Sequence, residues 1–467
     1  MFRRVRPLVL LVALFSSVAA PSFLRAQRAG SGHDAGARDP LSGLDAYIQQ
    51  AMRDWQGAAL SIAVVKDDSV VFAKGYGVRE VGKVDPATPQ TLYAIGSNTK
   101  LFTAVAAGMM VDEGKMRWDA PVTTYLPGFQ LYDPFVTREI TIADMLSHRS
   151  GLGRRGDLIW YGSSFDRAEI LRRIRYLAPN SSFRSQYGYQ NIMVMGAGEA
   201  VAAVAGRSWD DVIKQRIFQP LRMTSSNTST NDLRSATDVA TPHVWRNGKP
   251  VPVPWRNIDN IAPAGSINSN VVDMAQWLRF LLADGKVRGQ QLIKAATLSQ
   301  IERKLGIVIL TNTSGHNDLF GALAYRVLDA YLGAPPRDWS AIHLARTRAQ
   351  EAREAGMTAK LAAARDATSK PTLSLDKYAG TYVNPMYADF VVTYENGALA
   401  ARFGPNFSGR LEHWQYDTFR VLMETLGAES ELATFSLDAK GVVTRVDVQG
   451  IGEFMRKAIE TQSAARP

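Results

Sequence analysis

Apolar residues at Leu44, Tyr47, Ile48, Ala51, Met52 and Trp55 recur at helical spacing, so residues 44–55 are predicted as a helix. Ala58–Val65 and Ser69–Tyr76 are short β-type runs split by Lys66-Asp67-Asp68, which reads as a hairpin. The pattern changes at Leu101–Val111, where every position is apolar or small. That run is too long for a typical strand and predicts a buried helix. Ile142–Leu146, Ile192–Ala205, Asp210–Phe218, Val271–Leu282, Leu292–Ile301 and Leu319–Leu332 also read as helical, and Gly306–Thr311 as a buried strand. Residues 224–260, rich in Ser, Thr, Asn and Pro, are predicted as loop. An Ala-, Arg-, Glu- and Lys-rich stretch, residues 337–370, reads as a connecting helix. Beyond Pro371 six short alternating runs (378–382, 390–394, 398–403, 418–423, 433–437 and 442–448) predict a separate small antiparallel β-domain over 371–460.

Composition adds limits. With 467 residues the chain has room for two to three domains, and 46% hydrophobic with 21% charged residues suits a globular protein. Arg3, Arg4 and Arg6 precede the apolar run Leu8–Ala20, with small residues after it. Residues 1–26 are therefore predicted to be a secretory signal peptide, in preference to an uncleaved anchor, followed by a flexible leader over 27–40. The mature chain is expected to be exported, periplasmic or secreted, with no stable membrane span. Removing residues 1–26 takes four arginines away, and the formal charge falls from +10 to about +6. That surplus is spread along the chain and gives no nucleic-acid site. The absence of Cys excludes disulfides and thiolate metal sites, and six scattered His without an H-x-x-x-H pair give no metal site. No cofactor is expected; the partner is a small-molecule or peptide substrate.

The chemistry concentrates at Ala94-Ile95-Gly96-Ser97-Asn98-Thr99-Lys100, directly ahead of the buried helix. A Ser there has its hydroxyl near the positive end of the helix dipole, and a Lys three residues on shares its face. Burial lowers the pKa of such a lysine until its neutral amine accepts the hydroxyl proton. The bland alternative is an N-cap Ser followed by a surface Lys. A second polar stretch, Phe183–Asn191, also precedes a buried helix; its Tyr189 suits a proton relay, and its Asn191 amide can both donate and accept. His148 invites a general-base role, but a turn histidine more often caps or packs.

Ser97-Asn98-Thr99-Lys100 and Tyr189-Gln190-Asn191 together resemble the S-x-x-K and Y-x-N motifs of the serine β-lactamase and penicillin-binding-protein superfamily, in its class C and esterase-like branch. Met145–Leu152, Pro220–Met223, Ala264–Ser266 and Gly306–Asn312 extend the resemblance in the family's order. It implies an α/β (α+β) fold over residues 41–336: a β-lactamase-like mixed sheet with a helical domain. It implies Ser97 as nucleophile, Lys100 and Tyr189 as the proton-transfer pair, and Asn191 as the group orienting a substrate amide. The Ser97 backbone N–H would be one oxyanion donor.

The family's third motif, K-T-G or H-x-G, is missing. Only residues 283–305 separate the helix ending at Leu282 from the strand starting at Gly306, which is too few for two or three further strands at about 5–6 residues each plus turns. The chain is therefore expected to carry an internal deletion near residues 301–302 and to lack the strands on the active-site edge, with the second oxyanion donor. Two functions follow from the resemblance. One is an amide or ester hydrolase acting on a β-lactam, a D-amino-acid peptide or a small ester through an acyl-Ser97 intermediate. The other is a catalytically inactive envelope binding protein that keeps the fold.

Overall fold

The structure, a computed structural model, describes residues 39–298, 305–423 and 431–458. The expected signal peptide, residues 27–38 of the leader and the 301–302 junction lie outside the described residues. The described residues from Gly43 onward form one compact unit. Helix α1 (Leu44–Asp54) buries Leu44, Ile48, Ala51 and Met52 at the predicted spacing. Strands β1 (Ala59–Lys66) and β2 (Ser69–Gly77) form the hairpin, with Asp67 and Asp68 both at positive φ, a conformation Asp tolerates better than most residues. After the two-residue strand β3 (Tyr93–Ala94), a single 3₁₀ turn over Gly96–Asn98 runs straight into helix α2 (Thr99–Asp112).

Helix α2 is buried on most of its surface, as an apolar stretch of that length requires. Phe102 stacks on Trp277 at 3.9 Å, and the Trp209 indole donates to Thr103 Oγ1, which donates in turn to the Pro263 carbonyl. Short helix α3 (Ile142–Leu146) opens with a capping box between Thr141 and Asp144. Helix α4 (Asn191–Ala205) packs beside α2. Its Gly198 faces Pro263, where an added Cβ would stand 2.4 Å from the ring, so the close approach requires glycine.

Residues 224–260 are not all loop: β4 (His243–Arg246) and β5 (Lys249–Pro252) form a hairpin turning at Asn247-Gly248, both at positive φ. Strand β6 (Asn268–Ser269) pairs with β3 and anchors the segment before Ser97. Helix α5 (Val271–Leu282), N-capped by Asn270, covers β1 and β7 (Leu305–Thr311). The helix expected over Leu292–Ile301 is realised only at Ala295–Leu298, after a small hairpin at Lys286–Gln291; residues 299–301 lie outside the described residues. The main sheet has the order β2-β1-β7, antiparallel throughout, with Leu60 opposite Thr311 and Lys66 opposite Leu305. Beyond β7 no strand continues this sheet among the described residues.

Helix α6 (Leu319–Leu332) leads to helix α7 (Trp339–Ala363), which does more than connect. Its first turns dock: the Trp55 indole donates to Ser340 Oγ, and His343 and His316 meet Asp318 and Glu351 at 2.8 and 2.7 Å. The C-terminal β-domain is a closed antiparallel barrel of eight strands: β8 (Gly380–Val383), β9 (Phe390–Glu395), β10 (Ala398–Phe403), β11 (Phe407–Gln415), β12 (Thr418–Met423), β13 (Glu431–Leu437), β14 (Val443–Val448) and β15 (Gly452–Arg456). Pairing of β8 with β15 closes it, leaving no free edge. Two strands, β11 and β15, were absent from the sequence prediction. Tyr378, Tyr382, Phe390, Phe419, Phe435 and Phe454 fill the interior. Among the described residues no helix is long and apolar enough to cross a membrane.

Candidate active site

Gly96 has φ +52, and an added Cβ would meet nothing within 4 Å; glycine is needed there for the backbone angle alone. That turn presents Ser97 at the protein surface, two residues before α2 begins. Its backbone N–H belongs to the first helical turn, whose amides have no intrahelical acceptors.

Lys100 Nζ lies 3.0 Å from Ser97 Oγ and donates to the Ala264 carbonyl at 2.6 Å. Burial is the main force on this amine; it pushes the Lys100 pKa down to about 7, with the Arg154 charge helping and Asp157 opposing. Burial therefore makes the neutral amine accessible near pH 7. With one N–H committed to Ala264, such an amine can turn its lone pair to the Ser97 hydroxyl.

Tyr189 comes from the far stretch, and its OH lies 2.7 Å from Ser97 Oγ. Burial raises the Tyr189 pKa, while Ser97 and the Arg154 guanidinium pull the other way, so at neutral pH the phenol keeps its proton. Its loop is tied down from several sides. Arg184 pairs with Asp144 at 2.7 Å, Gly188 N–H donates to the His148 carbonyl, and Gln190 caps α4 through its own side chain. Burial alone would raise the Asp144 pKa, but Arg184 and Thr141 more than offset it and hold the carboxyl below its usual value.

His148 is buried, with its ring 4.6 Å from that of Tyr189. Its Nδ1 accepts the Gln190 N–H, which leaves the proton on Nε2. Burial first, then the Lys100 charge, lower its pKa to about 4. It is a neutral packing group at pH 7. Asn191, the first residue of α4, donates its amide to Asp157 Oδ1 at 2.9 Å, where the Trp160 indole also donates. Its carbonyl oxygen has no hydrogen bond among the described residues.

The structure thus gathers Ser97, Lys100 and Tyr189 within hydrogen-bond reach, while Asn191 is tied to Asp157. Sequence reasoning missed two contributors. The Ala264 carbonyl lies in a stretch noted only for resemblance, and a backbone acceptor leaves no residue-type signal. Arg154, whose guanidinium lies 4.8 Å from the Tyr189 ring centre, is one arginine among many in the sequence. The other flank of Ser97 is open. Asn98 and Leu101 beside it are exposed. No group of His, Asp or Glu arranged to hold a metal occurs among the described residues.

The β-barrel bears on the helical flank of the site. Tyr387 OH donates to the Arg155 carbonyl, Asn406 to the Gly162 carbonyl, and Arg173 to the carbonyls of Pro385 and Tyr387. Phe407 lies so close to Gly162 that an added Cβ there would stand 1.9 Å from its ring. A cleft of about 640 Å³ remains between the barrel and the helices.

A family model described as Beta-lactamase matches residues 44–302, and one described as a domain of unknown function (DUF3471) matches residues 364–463. The Unguisins hydrolase ungD' of Aspergillus campestris is 33% identical over 248 residues, which is 50% of this chain and 46% of that protein. Penicillin-binding protein 4 of Amycolatopsis lactamdurans is 28% identical over 263 residues, 53% of this chain and 65% of that protein. The chain therefore spans about half the length of the first relative and less than two thirds of the second. Among solved structures, the octameric penicillin-binding protein homologue from Pyrococcus abyssi superposes with a TM-score of 0.57 at 21% identity, covering 89% of this chain and 100% of that one; this likeness concerns the fold alone.

Proposed function

The chain belongs to the Beta-lactamase family, and from that membership we propose that it is an exported serine hydrolase cleaving an amide or ester through an acyl-Ser97 intermediate. The observation that carries this reading is the convergence on one hydroxyl: Ser97 Oγ has the Lys100 amine at 3.0 Å and the Tyr189 phenol at 2.7 Å. In the forward step Ser97 Oγ bonds to the substrate carbonyl carbon as its proton passes to neutral Lys100. The oxyanion develops beside the Ser97 N–H. As the bond to the leaving nitrogen or oxygen breaks, Tyr189 hands that atom a proton and is resupplied by Lys100. Water then attacks acyl-Ser97, losing its proton to the same pair; the bond from Ser97 Oγ to the acyl carbon breaks, Oγ takes that proton back, and the acid departs. Asn191, steadied by Asp157, offers its carbonyl oxygen to an amide N–H of the substrate.

A β-lactam, a D-amino-acid peptide or a small ester meets these requirements. Turnover is expected to be slow: losing one oxyanion donor costs roughly 10²–10³ in comparable acyl transfer. The open flank favours a second reading, a binding protein of the envelope that keeps the fold without the reaction. A fluorophosphonate or labelled penicillin decides between them. The hydrolase reading expects labelling and ester hydrolysis that disappear in Ser97→Ala; equal labelling and hydrolysis in both proteins would sink it. Export rests on the composition of residues 1–26, and N-terminal sequencing of protein secreted by a bacterial host tests it. A mature terminus near residue 27 is expected; one retaining Met1 contradicts it.

A further inference from the structure

We propose that a pocket where the barrel meets the helices binds a small hydroxylated carboxylate, a sugar acid of the glucuronate kind, apart from the chemistry at Ser97. The pocket has a volume of about 210 Å³, and none of Ser97, Lys100, Tyr189 and Asn191 lines it. Its walls come from residues within 160–165 and 256–260 and from Asn406 at a barrel turn. Such a space equals about seven waters' share of the liquid, which suits one small molecule and not a polymer. Arg256 supplies the anion-binding side. Its guanidinium lies over the Tyr161 ring at 4.3 Å and over the Phe407 ring of the barrel at 5.2 Å from the centres, so both parts of the chain hold it. Its Nη1 is buried and has no hydrogen-bond partner among the described residues. Asp259, three residues on, spends its Oδ2 on Ser229 and Asn257 at 2.7 and 2.9 Å. A buried charged donor without an acceptor costs more than the bond itself is worth, so an acceptor from outside the chain is expected to meet Arg256.

Asn260 supplies the other side. Its Nδ2 donates to the carbonyls of Trp160 and Phe165 at 3.0 and 3.2 Å. Two carbonyl neighbours fix which way the amide points, because only the NH₂ end can donate to them. Asn260 Oδ1 is left as an acceptor with no hydrogen bond among the described residues. Ser164, exposed at the edge of the pocket, adds a hydroxyl that both donates and accepts. A simple carboxylate would satisfy the guanidinium and give Asn260 Oδ1 nothing, and a neutral sugar would do the reverse. A molecule with a carboxylate and several hydroxyls meets both, and the planar guanidinium takes the carboxylate in two parallel hydrogen bonds. Bound there, it would touch Arg256 and Asn260 on one side and Asn406 on the other. It would thereby hold the barrel against Trp160, whose indole donates to the Asp157 that fixes Asn191.

Calorimetric titration of sodium glucuronate, glucose and sodium acetate into the full chain tests this. Glucuronate is expected to bind more tightly than either of the others. Arg256→Gln is expected to weaken it roughly 10- to 100-fold, the range for a lost charge-assisted hydrogen bond, with Arg256→Lys recovering part. Glucuronate no tighter than glucose or acetate in wild type, or glucuronate binding unchanged in Arg256→Gln, overturns the proposal. A second arm needs no variant: hydrogen–deuterium exchange of wild type with and without glucuronate. Protection of peptides covering 160–165 and 256–260 supports the assignment, and protection only elsewhere, or none, refutes it. Ser97→Ala is expected to bind glucuronate as wild type does, whatever becomes of the hydrolase reading. Binding that is lost with Ser97 would put the ligand at the other site and contradict the proposal.

Discussion

On its helical flank Ser97 meets Lys100 and Tyr189, whose supporting loops are held by Asp144, Arg184, Gln190 and, through Arg155, the barrel. On its other side Asn98 and Leu101 are exposed, and elsewhere the main sheet stops at β7 among the described residues. In the proposed acyl transfer the two flanks would serve different parts. Moving the proton needs an amine and a phenol at fixed distance, and the helical flank supplies both. Stabilising the oxyanion needs donors from two directions, and the Ser97 N–H would supply one of them. A fold can therefore keep one half of a reaction's machinery intact while the other half is open, because the halves are held by separate packing.

The comparison breaks first at the nucleophile. Ser97→Ala is expected to lower ester turnover by roughly 10³-fold or more, measured as kcat/KM, since no other group near the site can form the covalent intermediate. Lys100→Met should cost roughly 10²–10⁴-fold, the usual worth of a positioned general base. The wild-type kcat/KM should rise with pH through about 7 as the buried amine loses its proton; a profile flat across pH 6–8 would argue against Lys100 as base. Tyr189→Phe removes only the relay and should lie between wild type and Lys100→Met.

Adjacent residues of α2 sharpen the contrast in stability. Phe102 is fully buried against Trp277 and Phe218, and Phe102→Ala should cost about 3–5 kcal/mol in a denaturant titration. Its neighbour Leu101 is 37% exposed on the open flank, and Leu101→Ala should cost less than about 1 kcal/mol. Equal costs would mean that the open flank is covered.

Lys100 gives the smallest and most telling shift. Its folded pKa of about 7 lies below the ordinary 10.5, so between those values the unfolded chain binds more protons and stability rises with pH. The penalty for burying the amine is full below about pH 7 and fades towards pH 10.5. Lys100→Met should therefore stabilise the protein by about 1–3 kcal/mol at pH 6, the burial penalty being discounted for lost hydrogen bonds, and by less at pH 10. A melting temperature that falls at pH 6 would contradict the burial of a strained base.

Much of this was legible in the chain because local pattern and local chemistry coincide. The apolar run after Ser97 can only be a buried helix, and a serine and lysine three residues apart share its face. The shortage of residues between Leu282 and Gly306 forecast a short sheet, since strands need length. Other features depend on partners distant in sequence. Strand β5 carries Pro250 and Pro252, which masked a hairpin that Asn247-Gly248 signals locally. Strand β11 alternates around Gly409 and has a bulge near His413, so its apolar period is broken, and barrel closure shows only once the eighth strand is paired. Arg154 acquires meaning only from the phenol beneath it.

The most direct measurement is intact-protein and peptide mass spectrometry after exposure to a fluorophosphonate, run on wild type and Ser97→Ala across pH 6–8. A single adduct on the peptide containing Ser97, forming faster as pH passes about 7 and absent in Ser97→Ala, is the expected result. An adduct elsewhere, or equal labelling of both proteins, would contradict Ser97 as the nucleophile activated by Lys100.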